Sequence, residues 1–205
     1  MSMAQASPEI IQQDLPRSKR LKQATAATHE RLDNAVMACR PFEDKSRYGR
    51  FLQMQWAFHR DVDALFANEK LGEILPDLNG RRRLSLVDQD LADLEIEISK
   101  TEEGPVFDGR RPVTIAEGLG WLYVVEGSNL GAAFLLKFAG QLGLSETFGA
   151  RHLAGAPEGR GRHWRTFTEA LDGLTLSEED EEVLVSSARK AFERVFVHVN
   201  EKMAD

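Results

Sequence analysis

The chain has 205 residues, enough for one domain with a sizeable core but few for two. Its hydrophobic content of 42% and charged content of 29% are those of an ordinary globular domain. A formal net charge of −7 argues against bulk nucleic-acid binding. The single cysteine, Cys39, excludes an internal disulfide and a Cys-based metal cage. No apolar run reads as long enough to span a bilayer, and residues 1–7 lack the charged-then-apolar order of a secretory signal. The expectation is a cytoplasmic monomer that binds neither nucleic acid nor membrane.

Residues 1–14 carry no strong pattern and read as a flexible lead-in to one domain spanning 15–205. A helix is predicted from Arg17, with Leu21, Thr25, Thr28, Leu32, Ala35 and Cys39 as its inward stripe, stopped by Pro41. Ser46 is predicted to cap a second helix reaching about Asn68, with Phe51, Gln55, Phe58, Val62 and Leu65 inward. A break follows at 75–80, then helical spacing in Leu84, Val87, Leu91, Leu94 and Ile98, and a loop at 102–112. Thr114 and Glu117 form a capping pair for a long apolar helix ending near Gln141. After an irregular stretch at 152–161, Trp164, Phe167 and Leu171 form a short amphipathic turn set. Ser177 starts a last helix, its first turn acidic, that carries Leu184, Ala188, Phe192 and Val199 inward. No segment alternates like a strand, so the fold class is all-α: a single-domain helical bundle.

The long helix holds Gly127 and Gly131 in its interior, separated by Ser128, Asn129 and Leu130. Each interior glycine costs roughly 1 kcal/mol against alanine. Four residues apart, they bare one face. Either another helix packs closely there, or a flat ligand lies on naked backbone.

Other residues able to do chemistry are few. His29 lies on the first helix seven residues after Lys22, two turns or roughly 10 Å along the axis. That is about the distance from a haem iron to a propionate, so a histidine ligand and a carboxylate-binding lysine would suit haem lying along this helix. Asp33, one turn on, can orient the ring. The alternative is a surface histidine among solvated charges. Gln55 and His59 are polar groups on or beside an apolar stripe and need partners: either core satisfaction or an ordered-water network. Of Arg81, Arg82 and Arg83, a solvated run by default, Arg83 can reach inward. Tyr123 lies one turn before Gly127. His152, His163 and His198 have no ligand companion at useful spacing. No P-loop, dinucleotide fingerprint, Glu-x-x-His pair or Gly-x-Ser-x-Gly elbow occurs.

Two blocks carry a family resemblance. Residues 21–29, Leu-Lys-Gln-Ala-Thr-Ala-Ala-Thr-His, resemble the proximal helix of haem oxygenases. Residues 120–133, Gly-Trp-Leu-Tyr-Val-Val-Glu-Gly-Ser-Asn-Leu-Gly-Ala-Ala, resemble the distal helix of the bacterial members. The similarity continues through 148–153 and the Trp164 segment. It implies haem b, both substrate and cofactor, sandwiched between the proximal helix and a glycine-kinked distal helix. By it His29 is the axial iron ligand, Lys22 and Tyr123 are propionate partners, and Val36, Ala132 and Phe192 touch haem. Gly127, Ser128 and Gly131 form the distal backbone, where close glycines leave room only for a bent oxygen ligand. Gln55 and His59 hold distal waters, with Arg83 and Trp164 as outer members.

The implied reaction uses O2 and electrons from an external ferredoxin or flavin reductase to turn haem into biliverdin, CO and Fe2+, releasing iron. Ser128 stands where mammalian members carry aspartate, which leaves the anchor of the water relay open between Gln55 and His59. Lys22 and Tyr123 are present, while Met37 and Phe138 occupy the positions of lysines that redirect some bacterial members. Cleavage at the α-meso carbon, giving biliverdin IXα, is therefore expected. The basic group Arg17, Lys19, Arg20, Lys22 and Arg81 to Arg83 is expected to border the haem edge and receive an acidic donor. The alternatives are a non-catalytic haem carrier or sensor, a thiaminase-like hydrolase for which Cys39 is a poor nucleophile, and a helical interaction protein.

Overall fold

The computed structural model describes residues 15–98 and 103–204, so the lead-in expected at 1–14 lies outside the described residues. Among the described residues there are seven α-helices, three 3-10 turns and no strand, only isolated bridges at Ser145. The all-α expectation holds.

Helix α1 (Arg17–Ala38) begins after Pro16 with no cap of its own. Its first turn is satisfied from afar: Asp172 accepts the Ser18 amide at 2.6 Å and the Ser18 hydroxyl at 2.8 Å. It ends at Cys39, two residues before Pro41. Helix α2 (Lys45–Val62) is capped by Asp44, which accepts the Arg47 amide at 2.8 Å. Asp44 takes the place predicted for Ser46, because its carboxylate reaches the third amide and Ser46 already lies inside the helix. A 3-10 turn, Asp63–Ala67, extends it. The short helix α3 (Glu69–Ile74), capped by Asn68, was not visible as a separate period.

After the 3-10 turn Leu78–Arg81, helix α4 (Leu84–Asp93) stops before Ile98, whose apolar period runs past the helix into exposed chain. Thr114 caps α5 (Ile115–Gln141) by accepting the Glu117 amide at 3.1 Å. The Glu117 carboxylate turns out to Arg111 at 2.9 Å, so only half of the capping pair forms. Helix α6 (Arg160–Asp172) is a full helix rather than a turn set. Ser177 caps α7 (Glu178–Lys202), with four acidic residues in its first turn and Lys202 in its last.

Helix α7 is the common support. Helix α5 packs along it most extensively, and α1 and α2 pack on it too. The closest approach is at Gly120, where an added Cβ would lie 2.6 Å from the Leu184 carbonyl oxygen and 2.7 Å from Ser187 Cβ. On the α1 side, Arg189 donates to the Ala24 carbonyl at 3.0 Å and Arg31 pairs with Glu193 at 2.5 Å. Helices α1 and α5 make little contact with each other, and each leans on α7.

By length and composition α5 is apolar enough to cross a membrane, which corrects the expectation that no such run exists. More than half of that stretch is buried inside the protein, as in a core helix.

Candidate functional site

Most of the residues named from sequence lie on α1, α5 and α7. His29 projects from α1 with 58% of its side chain exposed. Its Nδ1 lies 3.3 Å from Asp33 Oδ2, and its ring stands edge-on to Phe192 at 5.6 Å. One nitrogen faces a carboxylate and the ring is braced by an aromatic, which leaves Nε2 as the nitrogen turned away from Asp33. Lys22 is exposed two turns earlier, and Val36 is half-buried beyond. Phe192, on α7, and Ala132, on α5, are buried.

The two glycines lie on α5. A Cβ on Gly127 would meet only Trp164, at 3.9 Å, and one on Gly131 would meet nothing within 4 Å. Close helix packing therefore explains Gly120, not this pair. Ser128 is exposed and its hydroxyl donates to its own helix at Val125 O, 2.7 Å away. From Gly127 onward α5 turns an apolar face outward: Leu130 is exposed, and Phe134 is 73% exposed. Met37 and Phe138 are exposed too, so both positions remain apolar. Tyr123 is buried, packed on Trp164 at 5.6 Å, with its hydroxyl facing Thr25, three residues after Lys22.

On α2, Gln55 is half-buried and His59 is buried. His59 Nδ1 has no hydrogen-bond partner among the described residues. Burial pushes its pKa down to about 3, with His152 and Arg83 adding to the effect, so the ring is neutral. His152 is the companion that sequence spacing missed. Its Nδ1 bonds Asp90 Oδ2 at 2.7 Å, and its buried Nε2 has no partner among the described residues. Arg83 reaches inward as expected and donates to Ala154 O at 2.9 Å and His152 O at 3.3 Å.

Two further polar nodes were not legible. Arg81, 1% exposed, donates to Glu126 Oε2 at 2.7 Å and pairs with Asp77 at 2.9 Å. Asp61, fully buried, accepts from Arg194 and His198, each at 2.7 Å. Apart from Asp77, four residues before Arg81, their partners lie 45 to 137 residues away in the chain, beyond any local spacing rule. The one local signal was the run Arg81 to Arg83 in a tight turn, where the first and third members point inward and Arg82 goes out to Asp63.

The basic docking group expected from sequence is largely spent inside the protein. Arg17 is buried on Glu181 and on the carbonyls of Leu171 and Leu174, and Arg20 also pairs with Glu181. Arg81 and Arg83 are buried; Lys19 and Lys22 remain exposed. His163 does gain ligand-type companions, Asp77 and Glu158, but Arg81 already neutralises Asp77.

The arrangement is shared with known proteins. A sequence profile of the family described as Heme oxygenase matches residues 15–201. The chain is 42% identical over 188 residues to Heme oxygenase PigA of Pseudomonas aeruginosa, covering 92% of this chain and 93% of that one. It is similar to the NO- and CO-bound heme oxygenase of Neisseria meningitidis, with 43% identity, a TM-score of 0.85 and 92% of each chain covered. A heme oxygenase of Leptospira interrogans, 15% identical with a TM-score of 0.70 over 91% of this chain and 100% of that one, shares the fold. A family profile over residues 15–201 and a relative 42% identical over nearly the whole length make the chain a member of the haem oxygenase family of oxidoreductases.

Proposed function

We propose that this protein takes haem as its substrate and opens it to biliverdin, CO and ferrous iron, using O2 and electrons from an external ferredoxin or flavin reductase. The observation that carries this reading is the glycine pair. Neither Gly127 nor Gly131 is crowded by neighbouring backbone: an added Cβ on Gly127 would meet only Trp164 of α6, at 3.9 Å, and one on Gly131 nothing within 4 Å. Their helix would frame a slot for haem with α1 and its exposed, braced imidazole. The residues suit haem: a nitrogen donor with a carboxylate behind it, apolar Leu130 and Phe134 beside the bare backbone, and a lysine at one end. Bound haem supplies the iron that activates O2 and the meso carbon that is oxidised.

His29 holds the iron through Nε2, and Asp33 and Phe192 fix its ring. Lys22 and Tyr123, at the same end of the slot, take the propionates. The backbone at Gly127, Ser128 and Gly131 confines the oxygen side. Ser128 cannot serve as an acid while its proton is given to Val125, so protons are delivered by water held by Gln55 and His59. Arg83 steadies the segment that carries His152. The role is iron release from haem, in the cytoplasm, with no nucleic-acid or membrane partner and with the chain acting as a monomer.

Haem titration followed by aerobic turnover tests this. The native protein should shift the Soret band and convert haem to biliverdin with a reductant. His29→Ala should lose the axial ligand and turnover. No Soret shift, or the same shift in His29→Ala, rules out the haem site; a stable complex that never yields biliverdin makes the protein a carrier. Chromatography of the product should give mainly the IXα isomer, because Lys22 and Tyr123 set the haem rotation. A mainly δ or β product refutes that assignment.

A further inference from the structure

The distal polar groups do not end at His59. Seven buried side-chain atoms lack a hydrogen-bond partner among the described residues, and four of them lie on two coupled pairs: His59 Nδ1 with His152 Nε2, and Glu126 Oε1 with Arg81 Nε. Buried polar atoms rarely stay unpaired; ordered water satisfies them. Arg83 donates to the His152 carbonyl at 3.3 Å, and its charge acts on His59, on His152 and on Glu126. Beyond Glu126 polar groups reach the surface. His163 Nδ1 is 3.4 Å from Glu126 Oε2, its Nε2 is 3.9 Å from Asp77 Oδ2, and Asp77 is exposed.

Resting on the haem oxygenase reading, we propose that Glu126, with His163 and Asp77, is a proton entrance that feeds the distal water from the protein surface behind α5. Glu126 sits one residue before Gly127, so it belongs to the helix that confines the oxygen. Its Oε2 is fixed by Arg81, and its free Oε1 is the atom able to pass a proton to buried water. In one delivery the Glu126 carboxyl gives its proton to that water and becomes carboxylate. His163 takes a proton from solvent at Nε2 and gives the Nδ1 proton to Glu126. To reset, the carboxyl turns to carry its new proton from the Oε2 side to the side of the buried water, and the imidazole regains its Nδ1 proton by losing the Nε2 proton to solvent and exchanging tautomer.

The charge environment suits the task. Burial pushes the Glu126 carboxyl up to about 7, against the opposing pull of Arg81 and Arg83 and with a small push from Asp77. Burial and Arg81 push the pKa of His163 down, while Asp77 and Glu158 pull it up. A carboxyl near neutrality both gives and regains a proton readily. Trp164, next to His163, covers Gly127, so the same turn of α6 joins the entrance to the distal backbone.

The test compares Glu126→Gln and His163→Gln with the native protein. In haem-free protein labelled at glutamate carboxyl carbons, NMR should show one carboxyl titrating near pH 7 that is missing from Glu126→Gln. With haem bound, both variants should keep the Soret position and bind haem within twofold of native. At pH 7, Soret loss under air and reductant should slow at least tenfold in Glu126→Gln and fivefold in His163→Gln. The pH dependence between 6 and 8 should flatten in both. Rates within twofold of native, or an equal slowing at every pH, overturn the entrance. Should Glu126→Gln fail to fold, His163→Gln decides alone, since it leaves the Arg81–Glu126 pair intact. Failure of the native protein to make biliverdin would instead refute the function on which the proposal rests.

Discussion

His59 and Glu126 are the residues whose burial has the plainest consequence in solution. The folded protein keeps the His59 ring neutral down to about pH 3, while the unfolded chain takes the proton near 6.5. Between those values the unfolded state binds more protons, so this contribution to stability falls as pH drops through the window. Glu126 acts in the opposite sense. Folded, it holds a proton up to about pH 7 that the unfolded chain loses near 4.5, so its contribution falls as pH rises through that interval. His59→Gln should therefore show a shallower loss of Tm between pH 6.5 and 4 than the native protein. An acid limb as steep as native would assign the sensitivity to other groups. His59 was readable because a polar residue on an apolar stripe demands a partner. His152 and Glu126 were not, because the partners that define them, Asp90 and Arg81, come from distant turns.

At the scale of the element, α5 carries two kinds of glycine that sequence cannot separate. Gly120 and Gly127 lie in the same apolar run, yet only the first is pressed against a neighbour. Gly120→Ala should cost about 2 kcal/mol, because the Leu184 carbonyl is backbone and cannot yield. Gly127→Ala and Gly131→Ala should leave Tm unchanged or raise it, by up to about 1 kcal/mol of helix propensity, while lowering biliverdin yield more than haem affinity. Thermal melts beside turnover assays check both halves. Full turnover in both variants would return the pair to a mere irregularity of the helix. Helix existence was legible wherever the apolar period was long, as in α1, α5 and α7. It failed where contacts outrank period. Helix α3 has too few residues to show a repeat. In α4, the repeat through Ile98 outruns a helix that ends at Asp93.

Across the molecule, Asp61 ties α2, the segment before α5 and α7 together. It accepts from Arg194 and His198 at 2.7 Å and from the Val106 amide at 3.2 Å, and its carbonyl accepts the Phe107 amide at 3.0 Å. Burial pushes its carboxyl up, but the bonds from His198 and Arg194 more than offset this and leave it below the usual carboxylate range. Asp61→Asn should cost about 3 kcal/mol by stranding a guanidinium and an imidazole, and should lower Tm by roughly 10 °C. A melt within 2 °C of native would show the node to be dispensable. The slot has a different kind of consequence. Because α1 and α5 meet each other so little and lean on α7 separately, a flat molecule gripped by both becomes a strut in the bundle. Protein with haem should melt at temperatures that climb with free haem concentration. By the proposed reaction the protein would dismantle its own brace: ring opening and loss of iron would leave nothing bonded to His29, and the two helices would part from a product that no longer spans them.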